Sequence, residues 1–138
     1  MQILSIEEVE YAAHALAKEL MAWGEPIPEF KTRFPHILES CLSAPFQSFQ
    51  GESPYRGLIG KAAVLFYLMI KNYPFQNGNK RVAVTTLFLF LYKNGKWIKT
   101  DEVELYNFAK WVAESNPKVR RSTLAAIEQF LGNYTASL

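Results

Sequence analysis

The chain has 138 residues, of which 49% are hydrophobic and 14% aromatic, and its formal net charge is +2. This length suffices to bury one core, so we predict a single domain over residues 1–138. The apolar content excludes a disordered chain, and the small charge excludes a nonspecific nucleic-acid binder.

The compartment is expected to be the cytoplasm. Cys41 is the only cysteine, which excludes an internal disulfide and fits a reducing environment. No signal peptide is visible after Met1. The apolar runs at 62–70 and 82–92 are shorter than the roughly 20 residues that span a bilayer, so we predict buried helices and no membrane partner.

Two amphipathic helices are predicted in the first third of the chain. Ser5 with Glu8 forms a capping box, and apolar residues at helical spacing follow until Gly24. Pro35 suits the first position of the second helix, which should end near Pro45. Residues 44–56 then mix turn formers with aromatic residues and predict a loop with a small hairpin, here called the flap.

Two strongly apolar helices follow, from Leu58 to Lys71 and from about Lys80 to Tyr92. Their apolar character on almost every side is typical of helices at the centre of a domain. Between them Pro74 and the Asn77-Gly78 pair predict an extended segment and a tight bend, with Asn79 as N-cap. Residues 72–78 are here called the connecting loop.

The last third predicts two further helices. Asp101 with Glu104 caps one of them, and Asn116-Pro117 opens the other, which should close at Gly132 before a polar tail that frays. The predicted fold is therefore all-α, a helical bundle of about six helices around two central buried helices, with a short flap or hairpin.

Lys80 and Arg81 are unusual because they lie where a helix begins. The partial positive charge of a helix N-terminus makes each cation cost roughly 0.3–1 kcal/mol, and a bound anion reverses that cost. The Gly78 turn is anchored between apolar helices, and Arg81 offers a fork for phosphate oxygens. The residues thus predict a phosphate site, although a common turn followed by a solvated cation pair remains the alternative.

The segment Pro74 to Arg81, PFQNGNKR, resembles the signature of the Fic/Doc family (Fido fold), His-Pro-Phe-x-Asp/Glu-Gly-Asn-Gly/Lys-Arg. Lysine before the arginine resembles the Doc, or death-on-curing, branch. The similarity covers roughly residues 3–115. It includes Leu38-Glu39-Ser40 with Leu42, Phe49-x-Gly51, Lys61-Ala62-Ala63, Ile70-Lys71-Asn72, Phe90-Leu91 and Asn94-Gly95.

The resemblance implies a toxin-type transferase that moves a phosphoryl or AMP group from ATP to a hydroxyl of a target protein. A translation factor is the expected target and a small antitoxin the expected regulator. The resemblance places Tyr73 and Arg81 at catalytic positions and makes Phe75 the loop anchor. Nucleotide phosphates would contact Asn77, Gly78, Asn79, Lys80 and Arg81, and the flap residues Phe49, Gln50, Gly51, Glu52 and Ser53 would align the target by strand-like pairing.

Two positions depart from the family pattern. Tyr73 replaces the histidine, and tyrosine, with a pKa near 10, is a poor general base at neutral pH. Asn77 replaces the acidic residue, so Mg²⁺ would be held weakly by an amide oxygen. His14, His36 and Glu52 are poor substitutes for the base, since each is expected to be a packed or surface residue.

Three functions therefore stay open. The chain could be a transferase that works by positioning and charge stabilisation, since phosphoryl transfer demands little of a base. It could be an inactive nucleotide- or partner-binding regulator. It could also modify itself at the Tyr73 hydroxyl. Thr123 and Glu128 lack the spacing of the family's self-inhibiting helix, so we expect control by a separate partner.

Overall fold

The computed structural model describes all 138 residues and contains six helices and one small sheet. This confirms the predicted all-α class. Helix α1 is continuous from Ile6 to Glu19, with a π-helical middle at Val9–His14. The other elements are α2 (Pro35–Ser43), α3 (Gly57–Lys71), α4 (Asn79–Lys93), β1 (Lys96–Ile98), α5 (Glu102–Glu114), α6 (Arg120–Tyr134) and β2 (Thr135–Ser137), with 3₁₀ turns at Phe30–Thr32, Ala44–Phe46 and Pro117–Val119.

Helices α3 and α4 form the centre of the molecule, as the sequence predicts. Every residue from 62 to 70 in α3 is buried, and so is every residue from 81 to 87 in α4. Helix α1 packs against α4, whereas α5 contacts both central helices and α6 contacts α3. No helix combines the length and the apolar character that crossing a membrane requires.

The predicted helix starts are largely confirmed by their caps. Ser5 and Glu8 form the reciprocal capping box, and the Asp101 carboxylate accepts the Glu104 N–H at 2.8 Å. Pro35 is the first residue of α2. The end of α1 differs from the prediction, because Leu20 adopts an extended backbone and the helix stops at Glu19, before Gly24.

The C-terminal tail was wrongly predicted to fray. Gly132 lies inside α6, and residues 135–137 form β2, which pairs antiparallel with β1 in a register that places Trp97 opposite Ala136. The Lys99 N–H also donates to the Tyr134 carbonyl at 2.7 Å. The tail is ordered because a distant strand satisfies its backbone groups, which local composition does not reveal.

Both ends of the chain meet at the turn that follows α4. The Gln2 N–H donates to Asn94 Oδ1 at 2.6 Å, and Asn94 Nδ2 donates back to the Gln2 carbonyl at 3.0 Å. The Leu138 N–H donates to the Gly95 carbonyl at 3.1 Å. The two termini are therefore fixed to adjacent residues.

The flap is smaller than a full hairpin. A single bridge joins Phe49 and Glu52 through two backbone hydrogen bonds of 2.8 and 3.0 Å. Gln50 and Gly51 between them both have positive φ, 52° and 81°, as two-residue hairpin turns commonly require. The predicted hairpin is thus reduced to one tight turn.

Candidate functional site

The connecting loop is closed by the side chain of Asn79. Its Oδ1 accepts the Phe75 N–H at 3.0 Å and its Nδ2 donates to the Phe75 carbonyl at 2.9 Å. Asn79 was predicted as N-cap, but Gly78 holds that position and Asn79 is the first residue of α4. The buried amide of Asn79 therefore shapes the loop and is already committed to backbone partners.

Position 78 of the connecting loop requires glycine, for a conformational and a steric reason. Its φ is 73°, in the left-handed region that favours glycine. A Cβ added there would lie 2.6 Å from Ile27 Cδ1 and 2.9 Å from the Pro26 carbonyl oxygen. The segment before α2 consequently covers the turn that was predicted to face a phosphate.

Phe75 lies beneath the loop in a cluster of three rings. Its centroid is 5.6 Å from that of His14 and 5.9 Å from that of Phe30. His14 Nε2 lies 3.0 Å from the Pro28 carbonyl oxygen. Burial lowers the pKa of His14 in spite of that hydrogen bond, so the neutral imidazole is favoured.

Arg81 is buried, with 4% of its surface exposed, and its guanidinium faces the end of α1. Nε and Nη2 donate to the Leu20 carbonyl at 3.2 and 2.8 Å, and Nη2 also donates to Ala17. Nη1 donates to the Glu25 carbonyl at 2.7 Å. Arg81 therefore satisfies carbonyls at and beyond the end of α1, and its fork is occupied by the chain itself.

Lys80 is also engaged by the chain. Its ammonium lies 3.0 Å from Glu25 Oε2, and its backbone N–H donates to Glu25 Oε1 at 3.3 Å. The Tyr106 hydroxyl donates to the same carboxylate at 3.2 Å. Burial, followed by the negative charge of Glu25, raises the pKa of Tyr106.

Tyr73 and Asn77 form the outer, exposed side of the loop. Tyr73 is 60% exposed and has a φ of 52°, uncommon for a residue other than glycine. Asn77 is exposed, and the chain contains no group of three or more histidine, cysteine, aspartate or glutamate side chains that could hold a metal ion. The two residues that depart from the family pattern are thus both exposed at the surface.

The flap does not lie beside the connecting loop. The flap precedes α3, whereas the connecting loop follows α3. The two ends of this 15-residue helix are about 21 Å apart, at about 1.5 Å per residue. Lys61 near the start of α3 donates to Ser53 Oγ at 3.2 Å, which anchors the flap at that end. That Phe49, Gln50, Gly51, Glu52 and Ser53 align a target by strand-like pairing stays a prediction.

The segment that does lie beside the loop is 20–34. The Phe34 N–H donates to the Pro74 carbonyl at 2.8 Å, and Glu25, Pro26 and Ile27 contact the start of α4. Sequence reasoning missed Glu25. The available signal was charge, because two cations at a helix start need an anion and Glu25 is an acidic residue held between Gly24 and Pro26.

In this conformation, the chain itself engages the polar groups of the loop at the place where a nucleotide phosphate was predicted to bind. The Asn79 amide, the Lys80 ammonium and the Arg81 guanidinium each hold a group of the chain, and Ile27 covers Gly78. Asn77, which was predicted to hold Mg²⁺ weakly, is exposed. The scaffold expected for a phosphate site is present, but its inner face is closed.

Comparison with known proteins gives two matches. A family model described as the Fic/DOC family matches residues 4–91, which run from before α1 almost to the end of α4. A curated protein named Toxin Doc, from Mycolicibacterium smegmatis, is 32% identical over 73 residues, which are 53% of this chain and 56% of that protein. The match therefore spans about half the length of each protein. No solved structure gives a significant match.

Proposed function

Because this chain belongs to the Fic/DOC family, we propose that it is a toxin-type transferase that moves a phosphoryl or AMP group from ATP to a hydroxyl of a target protein. The observation that carries the proposal is the loop itself, which Phe75 and Asn79 fix rigidly between two buried helices. Rigid placement is what a group-transfer site requires. The similarity to Toxin Doc supports the toxin role.

The chain's own residues contribute position and charge. Asn79 and Phe75 hold the loop, and the N-terminus of α4 supplies a positive end that ATP phosphates would need. We propose a cytoplasmic protein target, with a translation factor as the first class to test, and a small antitoxin as regulator. The exposed outer side of the loop, at Tyr73 and Asn77, is accessible to a macromolecule.

A regulator without catalysis is the second candidate. It is favoured by the commitment of Lys80 and Arg81 to the chain's own acceptors, which leaves neither cation facing a ligand. Such a protein would occupy a target or an antitoxin through its surface. Self-modification is a third candidate, favoured by the exposure of Tyr73.

A labelling experiment separates the three candidates. Purified protein is incubated with cell extract and with ATP labelled on either the α or the γ phosphate. Transfer of the α label to another protein indicates AMP transfer, and transfer of the γ label indicates phosphoryl transfer. No label on any protein would contradict both enzymatic candidates.

A matched pair of variants tests self-modification. Tyr73 and Tyr92 are exposed to similar extents, 60% and 58%. If Tyr73 is the acceptor, Tyr73→Phe abolishes label on the chain and Tyr92→Phe leaves it unchanged. Equal labelling of the two variants would exclude Tyr73 as the acceptor.

A further inference from the structure

The carboxylate of Glu25 lies at the start of α4. It is 3.3 Å from the Lys80 N–H nitrogen, 3.0 Å from the Lys80 ammonium and 3.2 Å from the Tyr106 hydroxyl. Its side chain is 21% exposed. The three contacts come from groups that are 55 or more residues distant in sequence.

This position is one where a helix attracts an anion. Lys80 is the second residue of α4, so its N–H has no acceptor within the helix. The N-terminal charge of the helix and the Lys80 ammonium both favour a negative group there. Glu25 supplies that group from another segment, and it explains why two adjacent cations are tolerated in the first turn.

The segment that carries Glu25 is held in place from both sides. The Glu25 carbonyl accepts from Arg81 Nη1 at 2.7 Å, and the Pro28 carbonyl lies 3.0 Å from His14 Nε2. Pro26 and Ile27 between these anchors press against Gly78. Residues 24–28, here called the strap, therefore close the inner face of the loop by sterics as well as by charge.

We propose that Glu25 is a built-in anion, which fills the position that a phosphate would take at the start of α4 and blocks it until the strap moves away. This inference rests on the proposed function, since it concerns the same loop. It adds a built-in control to the expected control by a separate partner. A partner that binds the strap would open the site, and one that stabilises the strap would keep it closed.

The test compares pyrophosphate binding by the parent protein and by Glu25→Gln. The amide keeps the size of the side chain but removes the charge that competes for the helix start. We expect Glu25→Gln to bind pyrophosphate at least about tenfold more tightly, a difference of about 1.4 kcal/mol. In ¹⁵N-labelled protein, the Lys80 backbone amide should show the largest change on titration. Equal affinities, or a binding event that leaves the Lys80 amide unchanged, would overturn the proposal.

Glu29→Gln is the matched control, because Glu29 is also acidic, lies just beyond the strap and pairs only with Lys31 at 3.2 Å. It should bind pyrophosphate as the parent does; an equal gain in affinity would show a general effect of net charge and overturn the proposal. If Glu25→Gln does not fold, pyrophosphate binding by Tyr106→Phe tests the proposal instead. It removes one contact to the carboxylate, so it should give a smaller gain, and no gain would count against Glu25.

The outcome for the transferase function is read separately. Parent and Glu25→Gln are both assayed with labelled ATP and cell extract. A gain in pyrophosphate affinity without label on any protein supports the proposal that Glu25 blocks the site and contradicts the proposed transferase activity. Label without a gain in affinity supports the transferase and contradicts the strap.

Discussion

At Gly78, the backbone conformation was predictable from the sequence, but the neighbouring residues that close the loop were not. Its left-handed backbone was predictable, because Asn-Gly is a turn dipeptide. Its contact with Ile27 was not, because the two residues are far apart in sequence and only the folded strap brings them together. The contacts of Glu25 were likewise not predictable, because its partners all belong to helices that are distant in sequence.

Gly78→Ala should destabilise the protein more than Gly95→Ala. Both residues have a positive φ, 73° and 80°, so both variants lose about 1–2 kcal/mol to backbone strain. At Gly95 nothing lies within 4 Å of the added Cβ, whereas at Gly78 the overlap with Ile27 and Pro26 should add about 1–3 kcal/mol. Urea unfolding measures the free energy of unfolding of both variants. Equal losses would mean that Pro26 and Ile27 move aside without a cost in stability.

At the scale of elements, Arg81 joins two helices. The family resemblance places this arginine on a phosphate, whereas the structure directs it to carbonyls at and beyond the end of α1. The helices themselves were predicted well because their apolar spacing and caps are local signals. The β1–β2 sheet and the role of Arg81 were not, since each depends on a partner supplied by tertiary packing.

Arg81→Ala should lower the free energy of unfolding by about 3 kcal/mol or more, because charge-assisted hydrogen bonds contribute about 1.5–3 kcal/mol each. Arg81→Lys should recover only part of that loss, since one ammonium cannot reproduce the fork. Arg121→Ala, at an exposed position, should change stability by less than about 0.5 kcal/mol. Thermal and urea unfolding check these values. An Arg81→Ala variant as stable as the parent would show that the contacts to α1 are dispensable.

For the whole molecule, the two histidines have opposite surroundings. His14 is buried against Phe30 and Phe75, and Lys18 and Glu10 are the charged groups that influence its pKa. The side chain of His36 is fully exposed and lies 3.9 Å from Glu39. Burial therefore makes His14 a group that links global stability to pH near neutrality.

Stability should fall as pH drops below about 6.5, the ordinary pKa of histidine. The folded state holds the pKa of His14 lower, so in this range it binds fewer protons than the unfolded chain, with a slope of at most about 1.4 kcal/mol per pH unit. Below the lowered pKa the loss is complete. Urea unfolding between pH 7 and 5 checks this: His14→Gln should lose the slope and His36→Gln should keep it. A slope unchanged in His14→Gln would assign it to another group.

Gln2 and Leu138 are both bound to the Asn94-Gly95 turn, so one pole of the molecule carries the two ends of the chain and the opposite pole carries the connecting loop. Both ends of the chain leave at the pole where α4 finishes, and the 15 residues of α4 place that pole about 21 Å from the connecting loop. A fusion partner or surface tether at either end would therefore project away from the loop. Joining the ends through a short linker would also permit circular permutants that are opened in the flap, with the loop and the strap left covalently intact.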